Sequence, residues 1–117
     1  MTIFITGGAG FIGSNFIKYI FNKYKGINVY NLDLLTYAGD LQNTIDFNNN
    51  SGYKFIKGDI CDSFLINEIF SKYNIDGVIN FAAESHVDRS IDNPENFLET
   101  NILGTFKILN ASLKYFN

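Results

Sequence analysis

The chain has 117 residues, 46% of them hydrophobic and 18% charged, so its composition supports one packed domain and excludes intrinsic disorder. Its nine basic residues are scattered and its formal net charge is -3, which argues against a surface that binds nucleic acid or anionic membranes. Cys61 is the only cysteine, which excludes an internal disulfide and a multi-cysteine zinc site. The apolar run at residues 3–5 is too short for a signal sequence or a membrane span. We therefore expect a cytoplasmic protein without a metal site.

Apolar runs that are rich in β-branched residues and bounded by turn residues predict buried strands. Four segments fit this pattern: Thr2–Thr6, Ile27–Asp33, Tyr53–Lys57 and Gly77–Ala82. Between them, apolar residues recur at the spacing of amphipathic helices. The first helix carries a stripe from Phe16 to Tyr24, a shorter one is expected near residues 41–47, and the next begins after Asp62 as its N-cap.

The last predicted helix has a clear start signal, because Asn93 is a favoured N-cap residue and Pro94 is favoured in a first helical turn. Gly104 in its middle costs about 1 kcal/mol relative to alanine, which predicts close packing against a neighbour. The sequence leaves open whether the apolar face of this helix packs on the sheet or on another chain. That face consists of Leu98, Ile102, Phe106, Leu109, Leu113 and Phe116.

Strands that alternate with helices predict the α/β class. We expect a Rossmann-type parallel sheet of about four strands in the order 3-2-1-4, with helices on its faces. A complete fold of this kind continues with at least two more strands. Residues 1–117 are therefore expected to form one domain, the N-terminal part of a longer protein whose substrate domain is absent from this sequence.

The turn after the first strand contains glycines at positions 7, 10 and 13. Gly7 permits the tight turn, Gly10 lets the backbone approach a pyrophosphate at the positive end of the next helix, and Gly13 lets that helix pack close to the sheet. Glycines also gather in ordinary turns, but here a strand precedes the motif and a helix follows it. The turn therefore predicts a dinucleotide site.

A carboxylate follows the second strand where this interpretation requires one. Asp33 lies twenty residues after Gly13, where it can accept hydrogen bonds from the adenosine ribose and repel a 2′-phosphate. NAD is therefore favoured over NADP, and the alternative is a strand–turn–helix unit with a surface aspartate. Asp59, after the third strand, suits either an adenine contact or, together with Asp62, a solvated helix-capping loop.

The segment that follows the fourth strand is a candidate wall of the same site. Ligands of open α/β sheets bind at the carboxyl ends of the strands. The small Ala82 and Ala83 let the backbone lie against a nicotinamide-ribose, and Ser85 is placed to hydrogen-bond a hydroxyl of the substrate or the cofactor.

The only histidine and the only arginine of the chain lie in this segment too. His86 suits a structural role better than a catalytic one, since no partner is placed for it by the sequence. Arg89 can pair locally with Asp88. For the segment as a whole we favour the functional interpretation.

Four stretches resemble the dTDP-glucose 4,6-dehydratase family, a branch of the extended short-chain dehydrogenases/reductases: Thr6–Ser14, Asp33–Gly39, Gly58–Ile60 and Phe81–Ile91. The resemblance covers the whole chain, and its most specific parts are LTYAG and AAESHVDRS. It implies an NAD-dependent lyase that oxidises C4 of dTDP-glucose, eliminates water across C5 and C6, and returns the hydride to C6. The implied product is dTDP-4-dehydro-6-deoxyglucose, a deoxysugar precursor. The implied assembly is a homodimer formed through the helix from Pro94 to Phe116.

By matched position, the resemblance also implies which residues surround the cofactor. Ser85 is expected to contact the substrate as well, and Leu34 stands where the family's pattern leads us to expect a basic residue. The implied NAD contacts are Phe11, Ile12, Asp33, Leu34, Leu35, Thr36, Asp59, Ile60, Phe81, Ala82, Ala83, Glu84, Ser85 and Thr100.

The chemistry of this family requires a Tyr-x-x-x-Lys pair and a Thr-Asp-Glu motif, and both are expected beyond residue 117. Two pairs with the right spacing are unsuitable. Tyr19 and Lys23 lie on the first helix, remote from the strand ends, and Tyr53 and Lys57 would stand about 13 Å apart on a strand. We therefore assign no catalytic residue and expect the chain alone to be inactive. The alternatives are another NAD-dependent epimerase or dehydratase of nucleotide sugars, or a short non-catalytic NAD-binding module.

Overall fold

The computed structural model describes residues 1–117 and contains a four-stranded parallel sheet. Its strands lie in the order β3-β2-β1-β4, which confirms the predicted Rossmann-type fold. The carboxyl ends of the strands lie side by side, because Thr6 pairs with both Leu32 and Asn80. The strands are β1 (Thr2–Thr6), β2 (Asn28–Asp33), β3 (Tyr53–Lys57) and β4 (Gly77–Asn80).

Helices cover both faces of the sheet. Phe4 and Ile5 of β1 enter different apolar clusters, as the alternation of side chains along a strand requires. Ile5 packs with residues of α1 (Phe11–Lys23), and Phe4 packs with residues of α2 (Ser63–Lys72) and of the C-terminal helix. The first cluster contains Ile5, Ile17, Ile20, Ile27, Val29 and Phe47, and the second contains Phe4, Leu32, Ile60, Ile66, Ile69, Phe70, Ile75, Ile108 and Ala111.

The C-terminal helix is not regular throughout. It consists of α4 (Pro94–Phe97), the π-helical turns Leu98–Gly104 and α5 (Thr105–Phe116). Pro94 occupies the first turn as predicted, but the Asn93 side chain forms no capping hydrogen bond. A Cβ on Gly104 would overlap the Ile60 side chain, which confirms the close packing predicted at this glycine. Apolar spacing alone does not reveal a π-helical insertion of seven residues.

The apolar face of the C-terminal helix does not pack on the sheet. Ile108 and Ala111 point into the core instead. None of the helices combines the length and the apolar character that crossing a membrane requires. The side chains of the predicted face are between 51% and 64% exposed: Leu98, Ile102, Phe106, Leu109, Leu113 and Phe116.

Strand β4 is shorter than predicted and ends at Asn80. The Phe81 N–H still donates to the Thr6 carbonyl at 2.9 Å. The next N–H, that of Ala82, donates to the Thr6 hydroxyl at 3.2 Å instead of to a backbone carbonyl. The chain leaves the sheet there and enters the predicted wall segment.

Two short helices also differ from the prediction. Leu41–Thr44 forms a single 3-10 turn, which Asp40 initiates by accepting a hydrogen bond from the Gln42 N–H. Part of the predicted loop after β4 forms α3 (Val87–Asp92). Its six residues are too few to display an apolar period in the sequence.

Candidate dinucleotide-binding site

A cavity of about 370 Å³ opens at the carboxyl edge of the sheet, among the segments that follow the four strands. Its volume is typical of small-molecule sites. All the residues predicted to contact the cofactor, except Leu35, line this cavity. They are Gly7, Gly10, Phe11, Ile12, Gly13, Asp33, Leu34, Thr36, Asp59, Ile60, Phe81, Ala82, Ala83, Glu84, Ser85 and Thr100. Four further lining residues were not predicted: Leu32, Ala38, Gly39 and Gly58.

The segment after β2 explains why Leu35 is missing from the lining. Leu35 has a φ of 58°, and its N–H donates to Asp33 Oδ1 at 2.8 Å. The backbone therefore turns around the carboxylate at this residue. Gly39 packs on the other side, where a Cβ would stand 2.8 Å from the same oxygen. The sequence signal for Gly39 was its place in the LTYAG stretch, which points to no contact by itself.

Gly7 turns the chain at the end of β1. Its φ of 71° lies in the left-handed region, which favours glycine. A Cβ there would stand 2.5 Å from the backbone nitrogen of Ala82, and the Gly7 N–H donates to the Leu32 carbonyl at 2.8 Å. The turn is therefore wedged between β2 and the segment after β4, with no room for a side chain.

Gly10 and Gly13 have different surroundings. The sequence led us to expect that Gly13 lets α1 pack close to the sheet. A Cβ on Gly13 would instead overlap the Gly7 carbonyl oxygen, so the first turn of α1 packs on the glycine-rich turn. A Cβ on Gly10 would meet only two carbonyl oxygens, those of Gly7 at 3.4 Å and of Ala38 at 3.9 Å. Since Gly10 lines the cavity, a larger side chain there would fill the cavity without displacing protein atoms.

The N-terminus of α1 presents free hydrogen-bond donors to this cavity. The first bond of the helix runs from the Ser14 N–H to the Gly10 carbonyl at 3.0 Å, so the N–H groups of Phe11, Ile12 and Gly13 have no protein acceptor. The first turn contains no acidic side chain and no capping side chain. These donors and the helix dipole together form a site suited to a phosphate group.

Asp33 is 8% exposed, and both of its carboxylate oxygens accept backbone hydrogen bonds. Oδ2 accepts from the Ala9 N–H at 2.9 Å, and Oδ1 accepts from the Leu35 N–H at 2.8 Å. The carboxylate still lines the cavity, and each oxygen retains a lone pair that a ribose hydroxyl can use. Asp33 therefore has a structural role, joining two walls of the site, that its spacing in the sequence did not indicate.

A second polar residue of β2 holds the same turn. Asn31 is fully buried; its Oδ1 accepts from the Gly8 N–H at 2.9 Å, and its Nδ2 donates to the Tyr53 hydroxyl at 3.0 Å. Burial raises the pKa of Tyr53, which keeps this hydroxyl protonated. Asn31 was not among the predicted site residues. The available signal was a carboxamide inside a strand predicted to be covered on both faces.

The loop after β3 caps a helix and also lines the cavity. Asp59 lines the cavity, while its Oδ1 accepts from the Cys61 N–H at 2.8 Å. Asp62 caps α2 by accepting from the Leu65 N–H at 3.1 Å. Burial and the nearby Asp59 carboxylate raise the pKa of the Cys61 thiol, which donates to the Glu99 carbonyl at 3.3 Å. The capping loop is therefore also a wall of the cavity.

The segment after β4 is held in place by the C-terminal helix. Asn101, within the π-helical turns, accepts from the Glu84 N–H and donates to the Glu84 carbonyl, each at 2.8 Å. Its neighbour Thr100 lines the cavity, as does Glu84 itself. Asn101 was not among the predicted site residues, because its partner lies seventeen residues away and no local pattern connects the two.

His86 and Arg89 lie outside the cavity lining and meet at Tyr37. The His86 N–H donates to the Tyr37 hydroxyl at 3.0 Å, and Cζ of Arg89 lies 3.8 Å from the centre of the Tyr37 ring. Local pairing of Arg89 with Asp88, which the sequence allowed as a structural alternative, does not occur, since the only salt bridge of the chain joins Lys18 and Asp46. The aromatic ring takes the place of the carboxylate as the partner of the guanidinium.

Neither Tyr-x-x-x-Lys pair lines the cavity. Lys23 Nζ donates to the Tyr19 hydroxyl at 2.9 Å on the exposed side of α1, and this contact raises the pKa of Lys23. Tyr53 is half-buried against Asn31, and its pKa is raised, whereas a tyrosine base requires a lowered one. No group of three His, Cys, Asp or Glu side chains is placed to hold a metal ion.

The chain is similar to several dTDP-glucose 4,6-dehydratases. A dTDP-glucose 4,6-dehydratase of Escherichia coli is 50% identical over 115 residues, which are 98% of this chain and 32% of that protein. The dTDP-glucose 4,6-dehydratase of Bacillus anthracis, crystallised with NAD, is 38% identical with a TM-score of 0.86, and the match covers 98% of this chain and 34% of that one. The chain thus spans about a third of the length of these relatives.

A second enzyme class shares the fold. The UDP-glucose 4-epimerase of Thermotoga maritima, solved with UDP-glucose, is 33% identical with a TM-score of 0.85, over 98% of this chain and 35% of that one. The sequence also matches the family described as GDP-mannose 4,6 dehydratase over residues 4–116, which includes every segment that lines the cavity from Gly7 to Thr100. The chain therefore belongs to the GDP-mannose 4,6 dehydratase family.

Proposed function

We propose that this chain is the NAD-binding part of a dTDP-glucose 4,6-dehydratase. The observation that carries the proposal is the set of three unpaired N–H groups at the start of α1, which line the same cavity as the Asp33 carboxylate. Donors at a helix N-terminus beside an acidic residue at the end of the next strand suit a pyrophosphate and the ribose attached to it. The similarity to dTDP-glucose 4,6-dehydratases favours the nucleotide-sugar class.

The proposed cofactor lies along the carboxyl edge of the sheet. Its pyrophosphate would be bound by the backbone of residues 10–12, its adenosine ribose by Asp33, and its adenine by Asp59 and Ile60. Its nicotinamide-ribose would lie against residues 81–85, on the other side of the glycine-rich turn. The Asp33 carboxylate disfavours a 2′-phosphate, and no basic side chain lines the cavity to offset it, so NAD is preferred to NADP.

The proposed reaction has no net redox change. Bound NAD supplies a hydride acceptor that is restored within the same cycle. The substrate dTDP-glucose would be oxidised at C4, lose water across C5 and C6, and regain the hydride at C6, giving dTDP-4-dehydro-6-deoxyglucose and water. Ser85, exposed at the cavity, is the residue of this chain proposed to contact the substrate. No base or elimination acid is assigned among these residues, so this chain alone is not expected to turn over.

Titration calorimetry with NAD and with NADP tests the proposal. We expect NAD to bind at least about tenfold more tightly than NADP. Gly10→Val is expected to abolish NAD binding with little change in the free energy of unfolding, since a Cβ there meets only two carbonyl oxygens at ordinary contact distances. Gly26→Ala, in a turn with nothing within 4 Å, is the control that should keep binding. Absence of NAD binding by the folded, unaltered chain would contradict the proposal, as would unaltered binding by Gly10→Val.

We further propose a homodimer formed through the apolar face of the C-terminal helix, whose six side chains are all more than half exposed. A continuous apolar stripe of this kind marks an interaction surface in soluble proteins. Sedimentation should show a dimer that Leu109→Lys dissociates. The matched control is Phe64→Lys, which changes a single apolar side chain that is 91% exposed on α2. Equal effects of both substitutions on the dimer would contradict this interface.

The remaining assignments follow from composition. A cytoplasmic location is proposed because the single cysteine requires no oxidising compartment. The formal charge of -3 and the scattered basic residues support a small-molecule site rather than a nucleic-acid or membrane partner.

A further inference from the structure

One contact outside the cavity lining joins two of the cavity's walls. Thr36 and Ala38 line the cavity on the β2 side, whereas Tyr37 between them is not part of the lining. Its hydroxyl instead accepts the His86 N–H at 3.0 Å, directly after residues 81–85, which line the opposite side. The two residues are 49 positions apart in the sequence. The contact therefore spans the crevice in which a bound dinucleotide would lie.

Two aromatic contacts reinforce this hydrogen bond. Cζ of Arg89 lies 3.8 Å from the centre of the Tyr37 ring, and the His86 ring meets the same ring edge-on, with centroids 5.8 Å apart and an angle of 87°. Arg89 has no carboxylate partner, so its guanidinium is committed to the ring. A cation over an aromatic face and an edge-to-face pair are both favourable arrangements. Three contacts from one wall thus converge on a single side chain of the other.

The bond from the His86 N–H to the Tyr37 hydroxyl is the one hydrogen bond that connects residues 34–40 with residues 81–90. Each of these segments is separately attached to other parts of the molecule: the Asp40 N–H donates to the Ala9 carbonyl at 3.1 Å, and Glu84 is held by Asn101. Loss of the Tyr37 contacts would therefore leave each wall attached to the fold and free to move apart from the other.

We infer that Tyr37, together with His86 and Arg89, forms a clasp across the dinucleotide site that controls how fast the cofactor enters and leaves. This inference rests on the proposed function. A dinucleotide lying between the walls must pass the clasp in both directions, so both rates are scaled by the fraction of molecules in which the clasp is open. Where that fraction is similar in the free and bound chains, the ratio of the rates, and hence the affinity, is unchanged.

Slow exchange is compatible with the proposed reaction. A cofactor that is reduced and reoxidised within one cycle has no need to leave between turnovers. Tyr37 would then limit exchange without limiting the chemistry, and its ring need not touch the cofactor, in agreement with its position outside the lining.

Stopped-flow fluorescence of NADH measures both rates on this chain. The reduced nicotinamide absorbs and emits at longer wavelengths than aromatic side chains do, so its emission is read without protein background. Association is followed on mixing, and dissociation is followed by displacement with excess NAD. We expect Tyr37→Ala to raise both rates about tenfold and to leave the dissociation constant within about a factor of two.

Two milder variants separate the contacts. Tyr37→Phe retains the ring for Arg89 and loses only the acceptor of the His86 N–H, so both rates should rise by about threefold. Arg89→Leu removes the cation and should have a similar effect. The control is Tyr19→Ala, because Lys23 Nζ lies 5.4 Å from the centre of the Tyr19 ring on α1, away from the cavity.

The outcomes distinguish a clasp from its alternatives. Parallel increases of both rates in the Tyr37 and Arg89 variants, with no change in Tyr19→Ala, support the clasp. Unchanged rates overturn it, and so does an increase of the dissociation rate alone with weaker affinity, which identifies Tyr37 as a direct contact of the cofactor. A folded, unaltered chain that binds no NADH overturns the proposed function itself, and this result is visible before any variant is compared.

Discussion

Two segments that line the cavity, the glycine-rich turn and the segment after β4, are held in place in different ways. The glycine-rich turn is bonded to three consecutive residues of β2: Asn31 accepts from Gly8, Leu32 from Gly7 and Asp33 from Ala9, at 2.8 to 2.9 Å. These three acceptors are between 0% and 8% exposed. The segment after β4 is bonded to Thr6 at its first two residues, Phe81 and Ala82, and beyond them it is held by the exposed side chains of Asn101 and Tyr37.

The difference in burial predicts a difference in rigidity. A buried donor that loses its acceptor retains the full cost of desolvation, whereas an exposed donor finds water instead. The glycine-rich turn is therefore preformed and costly to distort, while the segment after β4 moves at little cost. A site of this kind has one fixed side that positions the cofactor and one adjustable side that admits it.

The largest effect is expected from Gly7→Ala. This substitution combines the cost of a left-handed alanine, about 1 kcal/mol, with a clash against the Ala82 backbone, so the free energy of unfolding should fall by about 3 kcal/mol. Gly26→Ala has the same φ of 71° with nothing within 4 Å and should cost only about 1 kcal/mol. Urea unfolding measures both, and equal losses would show that the turn is not wedged against its neighbours.

Asn31→Leu tests the buried attachment of the same wall. It leaves the Gly8 N–H without an acceptor inside the protein, so we expect a loss of about 2 to 3 kcal/mol in the free energy of unfolding. The matched variant Tyr53→Phe removes only the other partner of Asn31 and should cost about 1 kcal/mol. If Tyr53→Phe proves the more damaging of the two, the attachment of the turn is not the main function of Asn31.

Asn101→Leu tests the adjustable wall. Its two hydrogen bonds to Glu84 are exposed, so the free energy of unfolding should fall by less than about 1 kcal/mol. Binding of NAD should weaken about tenfold while binding of AMP, which would use only the Asp33 side, stays the same. Asn101→Asp still accepts from the Glu84 N–H and should be intermediate. Calorimetry with both ligands checks this, and a parallel loss for AMP would contradict the separation of the two walls.

The smallest effect is a dependence of stability on high pH. Burial raises the pKa of Tyr53 above its usual value of 10.0, so the unfolded chain releases this proton first. The stabilisation is fully present below about pH 10 and is lost as the pH rises through the folded pKa. The difference in unfolding free energy between the unaltered chain and Tyr53→Phe should therefore shrink as the pH rises above about 10. A constant difference would mean that the hydroxyl is solvated.

Much of the site was predictable because its parts depend on local chemistry and on topology. Gly7, Gly10 and Gly13 were recognisable from a short motif, and Asp33 from its place at the end of a strand. In a parallel sheet the carboxyl ends of the strands lie at one edge, so segments far apart in the sequence were expected to meet there. The cavity contains nearly all of the residues that this argument and the family resemblance named.

The supporting residues were not predictable in this way. Asn31, Asn101 and Tyr37 act through partners that lie between 17 and 49 positions away along the chain. Nothing in the local sequence of a carboxamide or a tyrosine shows which distant N–H will be brought to it. The π-helical turns were not predictable from local sequence either. They place Thr100 in the cavity lining and, next to it, Asn101 within hydrogen-bond distance of Glu84.

The sequence by itself determined the strands, the glycine-rich turn and the acidic residue, because each depends on conformations and polarity that neighbouring residues set between them. Only the tertiary structure decided which face of the C-terminal helix is buried. The sequence shows an apolar stripe on this helix, yet the contact of Gly104 with Ile60 turns Ile108 and Ala111 inward and leaves the stripe exposed. Whether a helix face is buried depends on which other elements pack against it, and the fold as a whole determines those elements.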